Sequence, residues 1–297
     1  MYTSEPKVVV TGGYTLHVRC VAGIESCCYV DSIDVAFDLG CLAGRVIGKS
    51  HVFITHGHID HIGALVAHAA RRALQKQKPA EYFVPAHLVP HLESILQSTA
   101  AMQGDEPFPA RLVPLQAFDE VHISPKYMVR AVPTMHRVPS LGYILYEKRN
   151  RLKPEYRQLS GQEIAALKRA GQEITSAELT PEIAYTGDTT IETFTTAVDG
   201  DERANDLLRV KVLITEVQRC TLCNARRASI SPSTESMAVL FAVVVMPPQF
   251  AIHERLFQQV GSLVLVHFSA RYSTDELAEC IRTRLPPSLQ EKTVLGC

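Results

Sequence analysis

Seven residues, Thr55-His56-Gly57-His58-Ile59-Asp60-His61, narrow the folds open to this chain more than any other feature. They follow an apolar, β-prone run at 52–55. They precede a stretch in which Ile62, Leu65, Val66, Ala69 and Ala73 recur at helical spacing until Pro79. Three imidazoles and a carboxylate therefore stand where a strand gives way to a helix. On an extended loop the side chains at 56 and 58 point the same way, because the strand period is two. Asp60 and His61 fall at the turn into the helix and can face a second ion beside the first. Imidazole and carboxylate are suited to zinc. A loop whose histidines only cap and solvate has no use for this spacing.

Strand-like runs recur at 8–10, 16–21, 35–39, 52–55, 127–132, 141–146, 210–217 and 263–268, interleaved with helical patterns. Ser160-x-x-Glu163, with Gly171 as a stop, and Ser273-x-x-Glu276 are capping-box signatures. Strands mixed with helices throughout predict an α/β or α+β core, taken as one domain over 1–297. The chain is 46% hydrophobic, with 30 Lys+Arg against 31 Asp+Glu, which excludes disorder and a basic footprint over the whole chain. The longest apolar stretch, 237–246, is about half of the roughly 20 residues a bilayer span needs, so no membrane partner is expected. The start, Met-Tyr-Thr-Ser-Glu-Pro, does not read as a secretory signal, and the eight cysteines read as reduced thiols. An intracellular location is expected, with cytoplasm ahead of nucleus or mitochondrion. Cys220-x-x-Cys223 has no second pair at finger spacing and is read as ordinary.

Two metal ions need more ligands than one loop supplies. The chain offers His136 after the run at 127–132, Asp188 in Tyr185-Thr186-Gly187-Asp188-Thr189, and His267 at the end of the run from 263. Each stands near a strand end, where an α/β sheet presents its site.

At this point a resemblance becomes specific. The HxHxDH run with a later His, a Gly-Asp-Thr and a last His resembles the metallo-β-lactamase superfamily. Thr134-Met135-His136-Arg137-Val138-Pro139-Ser140-Leu141-Gly142-Tyr143 and the Gly-Asp-Thr segment look like ribonuclease Z. His267-Phe268-Ser269-Ala270-Arg271-Tyr272 looks like that family's HFSxRY motif, and the segment from Arg151 to Thr189 is similar to its short form. The resemblance covers about residues 23–286. It implies a four-layer αββα metallo-β-lactamase sandwich and a zinc-dependent tRNA 3′-processing endoribonuclease, a homodimer, acting on precursor tRNA. His56, His58 and His136 would hold one zinc, and Asp60, His61 and His267 the other, with Asp188 bridging the two ions. Asp60 would orient or deprotonate the attacking water, and hydroxide would attack the phosphodiester after the discriminator nucleotide. Glu216 matches a catalytic Glu, and Ser269, Arg271 and Tyr272 stand where substrate phosphate would bind.

The family's RNA-contacting arm lies between the third His and the bridging Asp. Here that interval, around 148–180, holds Lys148, Arg149, Arg151, Lys153, Arg157, Lys168 and Arg169, diluted by Glu155, Glu163, Glu173 and Glu178. One departure stands out. The His that should partner Glu216 as general acid is missing: Ser229-Ile230-Ser231 occupies its place, and His253 matches a later helix. The segment 217–250 is atypical. A misassembled segment, an impaired or inactive RNA-binding homologue, and a substitute acid all remain open. So does another hydrolase of the same fold, acting on a thioester, a lactone or a small phosphodiester.

Overall fold

Two sheets of seven strands account for the alternation read from the sequence. The computed structural model describes residues 5–104, 106–216, 250 and 252–296. The first sheet takes its strands in sequence order: β1 (Lys7–Thr11), β2 (Tyr14–Val21), β3 (Glu25–Val30), β4 (Ala36–Phe37), β5 (His51–Phe53), β6 (Ala80–Pro85) and β7 (Ala110–Leu115). Pairing is antiparallel from β1 to β4 and parallel from β4 to β7. The second sheet repeats that plan without any sequence repeat. In it β8 (Glu120–His122), β9 (Tyr127–Thr134), β10 (Ser140–Leu152) and β11 (Thr175–Tyr185) are antiparallel. Then β11, β12 (Val212–Thr215), β13 (Ser262–Leu265) and β14 (Thr293–Leu295) run parallel.

The side-chain period of two decides what each sheet buries. Along β9, Val129 and Ala131 join Leu16, Val18, Phe37 and Phe53 of the first sheet in a core between the sheets. Met128 and Val132, on the other face, pack under helices. Phe37 stacks on Tyr185 across the sandwich with ring centroids 5.2 Å apart, burial worth about 1.5–3 kcal/mol per aromatic side chain.

Helices cover both outer faces. After a single turn, α1 (Ile59–Ile62), come α2 (Leu65–Leu74) and α3 (Val89–Met102), whose Leu65, Ala69 and Leu92 pack on Val52, Ile54, Tyr82 and Val84. The second sheet is covered by α5 (Glu192–Asp199), α7 (Thr274–Arg284) and α8 (Pro287–Gln290), through Phe194, Ile281 and Leu289. The short α4 (Gly161–Arg169) and α6 (Glu202–Asn205) complete the series. This is the four-layer αββα metallo-β-lactamase sandwich. Both capping boxes form, at Ser160 on α4 and Ser273 on α7. Among the described residues, no helix is long and apolar enough to cross a membrane.

Two local features bear on the site. β10 and β11 outrun their neighbours, staying paired from Lys148 to Leu152 beyond Glu147, the last residue that β9 reaches. With α4 at its tip, this hairpin is the extension that the sequence places around 148–180. It ends roughly 30 Å from Tyr143, at the site end of β10, at about 3.3 Å per residue. The loop after β4 packs directly on α1: Leu39 N–H donates to the His61 carbonyl at 2.7 Å, and Gly40 N–H to that of Ser26 at 2.8 Å. A Cβ at Gly40 would lie 1.7 Å from the Asp60 carbonyl oxygen. Gly40→Ala must therefore displace α1 or the loop, and is expected to cost more than about 2 kcal/mol in urea unfolding. An unchanged midpoint would show that this packing does not constrain the fold.

Candidate metal centre

Every candidate ligand sits just past a strand's C-terminal end. His56 and His58 lie on the extended segment after β5, and His58, at φ −69° and ψ 145°, caps α1. The chain then turns into the helix, and Asp60 and His61 emerge from that single turn. His136 lies two residues past β9, Asp188 three past β11, Glu216 one past β12 and His267 two past β13. His267 adopts φ +64°, a conformation costly for a residue with a Cβ, which turns its ring away from the sheet.

The seven residues form two clusters that share Asp188. In the first, the ligand atoms of His56, His58, His136 and Asp188 lie within 4.8 Å of one another. His58 Nδ1 is 2.8 Å from His56 Nε2 and 3.3 Å from His136 Nε2. In the second, His61 Nε2 and His267 Nε2 are 3.4 Å apart, and Asp188 Oδ1 is 3.0 Å from the first and 3.3 Å from the second. Asp60 Oδ2 completes it at 3.3 Å from His267 Nε2 and accepts from Gly23 N–H at 3.0 Å. Imidazole nitrogens and carboxylate oxygens gathered this way fit divalent cations. Two buried polar atoms without a hydrogen-bond partner, His136 Nδ1 and Glu216 Oε1, border the same clusters.

Behind the ligands stand residues that sequence reasoning missed. Asp38, fully buried at φ +58°, accepts from His61 Nδ1 at 2.7 Å, from Tyr185 OH at 3.0 Å and from Thr55 N–H at 2.8 Å. Ser26 Oγ lies 3.3 Å from His61 Nε2. The one available signal was an acidic residue within the apolar run 35–39, where a strand has no use for one. Glu216, expected from the sequence as a catalytic match, meets His267 Nδ1 directly. Ser269, Arg271 and Tyr272 lie outside the ligand clusters on the loop into α7. Ser269 and Tyr272 line a groove of about 770 Å³ there, together with Lys7, Arg19 and Phe268. The segment expected to hold the general acid, 217–249, lies outside the described residues.

Burial and charge split the protonation states. Burial, with His61 beside it, pushes His56 down to about 2. Burial also opposes charging His61, but Asp38 and Asp188 outweigh it and push that imidazole up to about 11. For Asp60, burial is outweighed by the contacts with His267 and His61, which hold the carboxyl down at about 2. Complete burial raises the Glu216 carboxyl, and Asp60 and Glu216 raise His267 against its own burial, so this pair retains a proton.

A protein-family model described as a beta-lactamase superfamily domain matches residues 45–221. The tRNase Z TRZ1 of Arabidopsis thaliana is 34% identical over 284 residues, spanning 96% of this chain and 95% of that protein. The chain belongs to the tRNase Z family. A second Arabidopsis tRNase Z, TRZ2, named as chloroplastic, is 34% identical over 275 residues, covering 93% of this chain and 73% of that protein. Among solved structures, the metallo-beta-lactamase fold protein YhfI from Bacillus subtilis aligns with a TM-score of 0.54 over 94% of both chains at 12% identity, a likeness of fold. As a tRNase Z homologue, the chain is a metal-dependent hydrolase with candidate ligand clusters for divalent cations.

Two outcomes follow for this member of the tRNase Z family. Asp38→Ala leaves four buried donors without their acceptor. It is expected to cost roughly 3–5 kcal/mol by denaturant unfolding, and a loss under 1 kcal/mol would remove Asp38 from its anchoring role. At pH 7 the cation-free centre holds protons on His61 and on the His267–Glu216 pair. A cation must displace them, so loading should release about two protons, and apparent affinity should climb as pH rises above 7. Calorimetry in buffers of different ionisation enthalpy reads the proton count directly, and a count of zero would contradict these protonation states.

Proposed function

We propose that the chain is a two-zinc endoribonuclease that removes 3′ trailers from precursor tRNA. It would cut after the discriminator nucleotide, leaving a 3′-OH on the tRNA and a 5′-phosphate on the trailer. The observation that carries this reading is the meeting of all seven ligand side chains in a chain that matches tRNase Z TRZ1 over 96% of its length. His56, His58 and His136 would hold one zinc, Asp60, His61 and His267 the other, and Asp188 both. Bound there, the cations would supply Lewis-acid polarisation of a phosphoryl oxygen and a water of lowered pKa.

The protein's own groups would do the rest. Asp60 stays ionised, and its Oδ2 is aimed by the Gly23 N–H, so it can orient the attacking water and accept its proton. Glu216 fixes the ring of His267 through Nδ1. The loop carrying Ser269, Arg271 and Tyr272 borders the groove beside His267, which suits it to contact RNA phosphate. The extended hairpin would grip RNA far from the scissile bond. Arg149 is shared there with Glu147 and Glu182, and Arg151 with Glu178, which leaves Lys148, Lys153 and Lys168 as the better phosphate contacts. A homodimer is part of the reading by family likeness. An intracellular site suits the free thiols at Cys20, Cys27, Cys28, Cys41 and Cys280.

The deciding experiment incubates the purified chain with zinc and a 3′-extended precursor tRNA and maps the cut at nucleotide resolution. A single cut after the discriminator is expected. Asp60→Ala should slow it by about 10²-fold or more while tRNA binding persists. Cleavage elsewhere, or full activity in Asp60→Ala, would overturn the proposal. Replacing Lys148 and Lys153 by Glu should weaken tRNA binding and flatten its salt dependence, yet spare hydrolysis of a small chromogenic phosphodiester. Equal losses on both substrates would assign the hairpin to folding instead.

A further inference from the structure

The extended hairpin leaves the sandwich at a sharply defined point. Along β11 every residue from Thr175 to Pro181 is exposed or half-buried, and every residue from Glu182 to Tyr185 is buried. Along β10 the change falls between Tyr146 and Glu147. β9 ends its pairing at Glu147, and β12 begins its own at Ile183. The ladder is interrupted at the same place. Leu145 pairs with Ile183 and Tyr146 with Pro181, so Glu182 is the extra residue of a β-bulge, and Pro181 beside it has no N–H to give. A bulge bends its strand, so the direction of the two strands beyond it depends on side chains as well as on the ladder.

The Glu182 side chain is fully buried at that bend. Its Oε2 accepts from Tyr14 OH at 2.7 Å and lies 2.5 Å from Lys211 Nζ, while Oε1 accepts from Arg149 at 3.1 Å. Tyr14 begins β2 of the first sheet, Lys211 precedes β12 of the second, and Arg149 belongs to the hairpin. Arg149 also donates from Nε to Glu147 at 2.8 Å, and Glu147 meets Lys126 Nζ at 2.9 Å. The abutment on the first sheet is firm. Thr11 Oγ1 donates to Ser262 Oγ at 2.7 Å, and a Cβ on Gly12 would lie 2.4 Å from Val212 Cγ2. Swinging the hairpin away would strip a buried carboxylate of its partners, a costly change that favours one orientation.

We propose that Glu182 is a positioning residue for precursor tRNA: tied to both sheets and to Arg149, it fixes the direction of the hairpin and so the separation between the hairpin's lysines and the metal centre. The proposal rests on the RNA-processing reading above and deepens it. Being buried, Glu182 acts through the hairpin and touches no RNA itself. A structured RNA that bridges the hairpin and the centre gains from both contacts only when their separation matches its own. Charge by itself acts in the opposite sense. Removing this carboxylate frees Arg149 and leaves the hairpin more basic, which would strengthen attraction to phosphate. Weaker binding would therefore report lost geometry.

The test compares the full, zinc-supplied chain with Glu182→Gln and Tyr14→Phe on a 3′-extended precursor tRNA and on a small chromogenic phosphodiester. Glu182→Gln keeps the size of the side chain and an acceptor for Tyr14 but gives up the ionic hold on Arg149 and Lys211. Kd and KM for the tRNA should rise about tenfold with kcat held, and the small substrate should be hydrolysed as before. Tyr14→Phe changes no charge and should move Kd and KM the same way, by about threefold. Should Glu182→Gln fail to fold, Tyr14→Phe decides. Unchanged or tighter tRNA binding, or equal losses on the two substrates, would overturn the proposal. Replacing Lys148 and Lys153 by Glu in the same assay separates it from the reading beneath it. If that change leaves tRNA binding intact, the hairpin does not grip RNA and both fall. If it weakens binding while Glu182→Gln and Tyr14→Phe do not, the positioning role of Glu182 falls alone.

Discussion

One buried carboxylate holds this molecule's functional end together. Asp38 has no solvent exposure and accepts from an imidazole, a phenol, a hydroxyl and a backbone amide. Those donors belong to α1, to β11 of the second sheet and to the segment after β5, so a single group ties both sheets to the metal loop. A buried charge is tolerable only when its hydrogen-bonding capacity is filled. Here filling it is what positions His61, and through Thr55 it reaches His56. The left-handed backbone at Asp38 is the local cost of turning that side chain inward.

The repeated sheet plan explains why the centre lies where it does. Each sheet goes from antiparallel to parallel pairing, and the C-terminal ends of β5, β11, β12 and β13 bring residues 56, 188, 216 and 267 to a common edge. Ligand ownership is divided between the sheets in each cluster. His56 and His58 come from the first sheet's side and His136 from the second. Asp60 and His61 come from the first and His267 from the second. Neither sheet holds a complete set, so a bound cation is also a clamp between them, and metal affinity is linked to stability.

Much of this was legible in the sequence, for identifiable reasons. The ligands were visible because metal chemistry demands unusual residues at tight spacing, and the capping boxes because they are local. The strand runs were visible where one face is polar or a turn follows. β6, buried at all but Glu81, lacks alternation, and β3, β7 and β14 carry no motif of their own. The run at 35–39 shortens to Ala36–Phe37 because Asp38 leaves the sheet to reach His61, and the run at 263–268 ends at Leu265 because His267 turns into the centre. Asp38 itself was missed because its partners lie 17, 23 and 147 residues away, at Thr55, His61 and Tyr185. A long-range hydrogen bond leaves no periodic trace.

Hydrogen bonds among the site's own side chains account for how so polar a cluster is buried. An uncompensated imidazole or carboxylate in a low-dielectric interior costs several kcal/mol by typical scales, about 1–3 for each lost hydrogen bond. Here the contacts Thr55–His56, Thr55–Asp38 and His61–Asp38 and the pair His267–Glu216 satisfy many of these groups with one another. These contacts hold the ligand side chains in place, so the sandwich itself shapes the geometry a cation would meet.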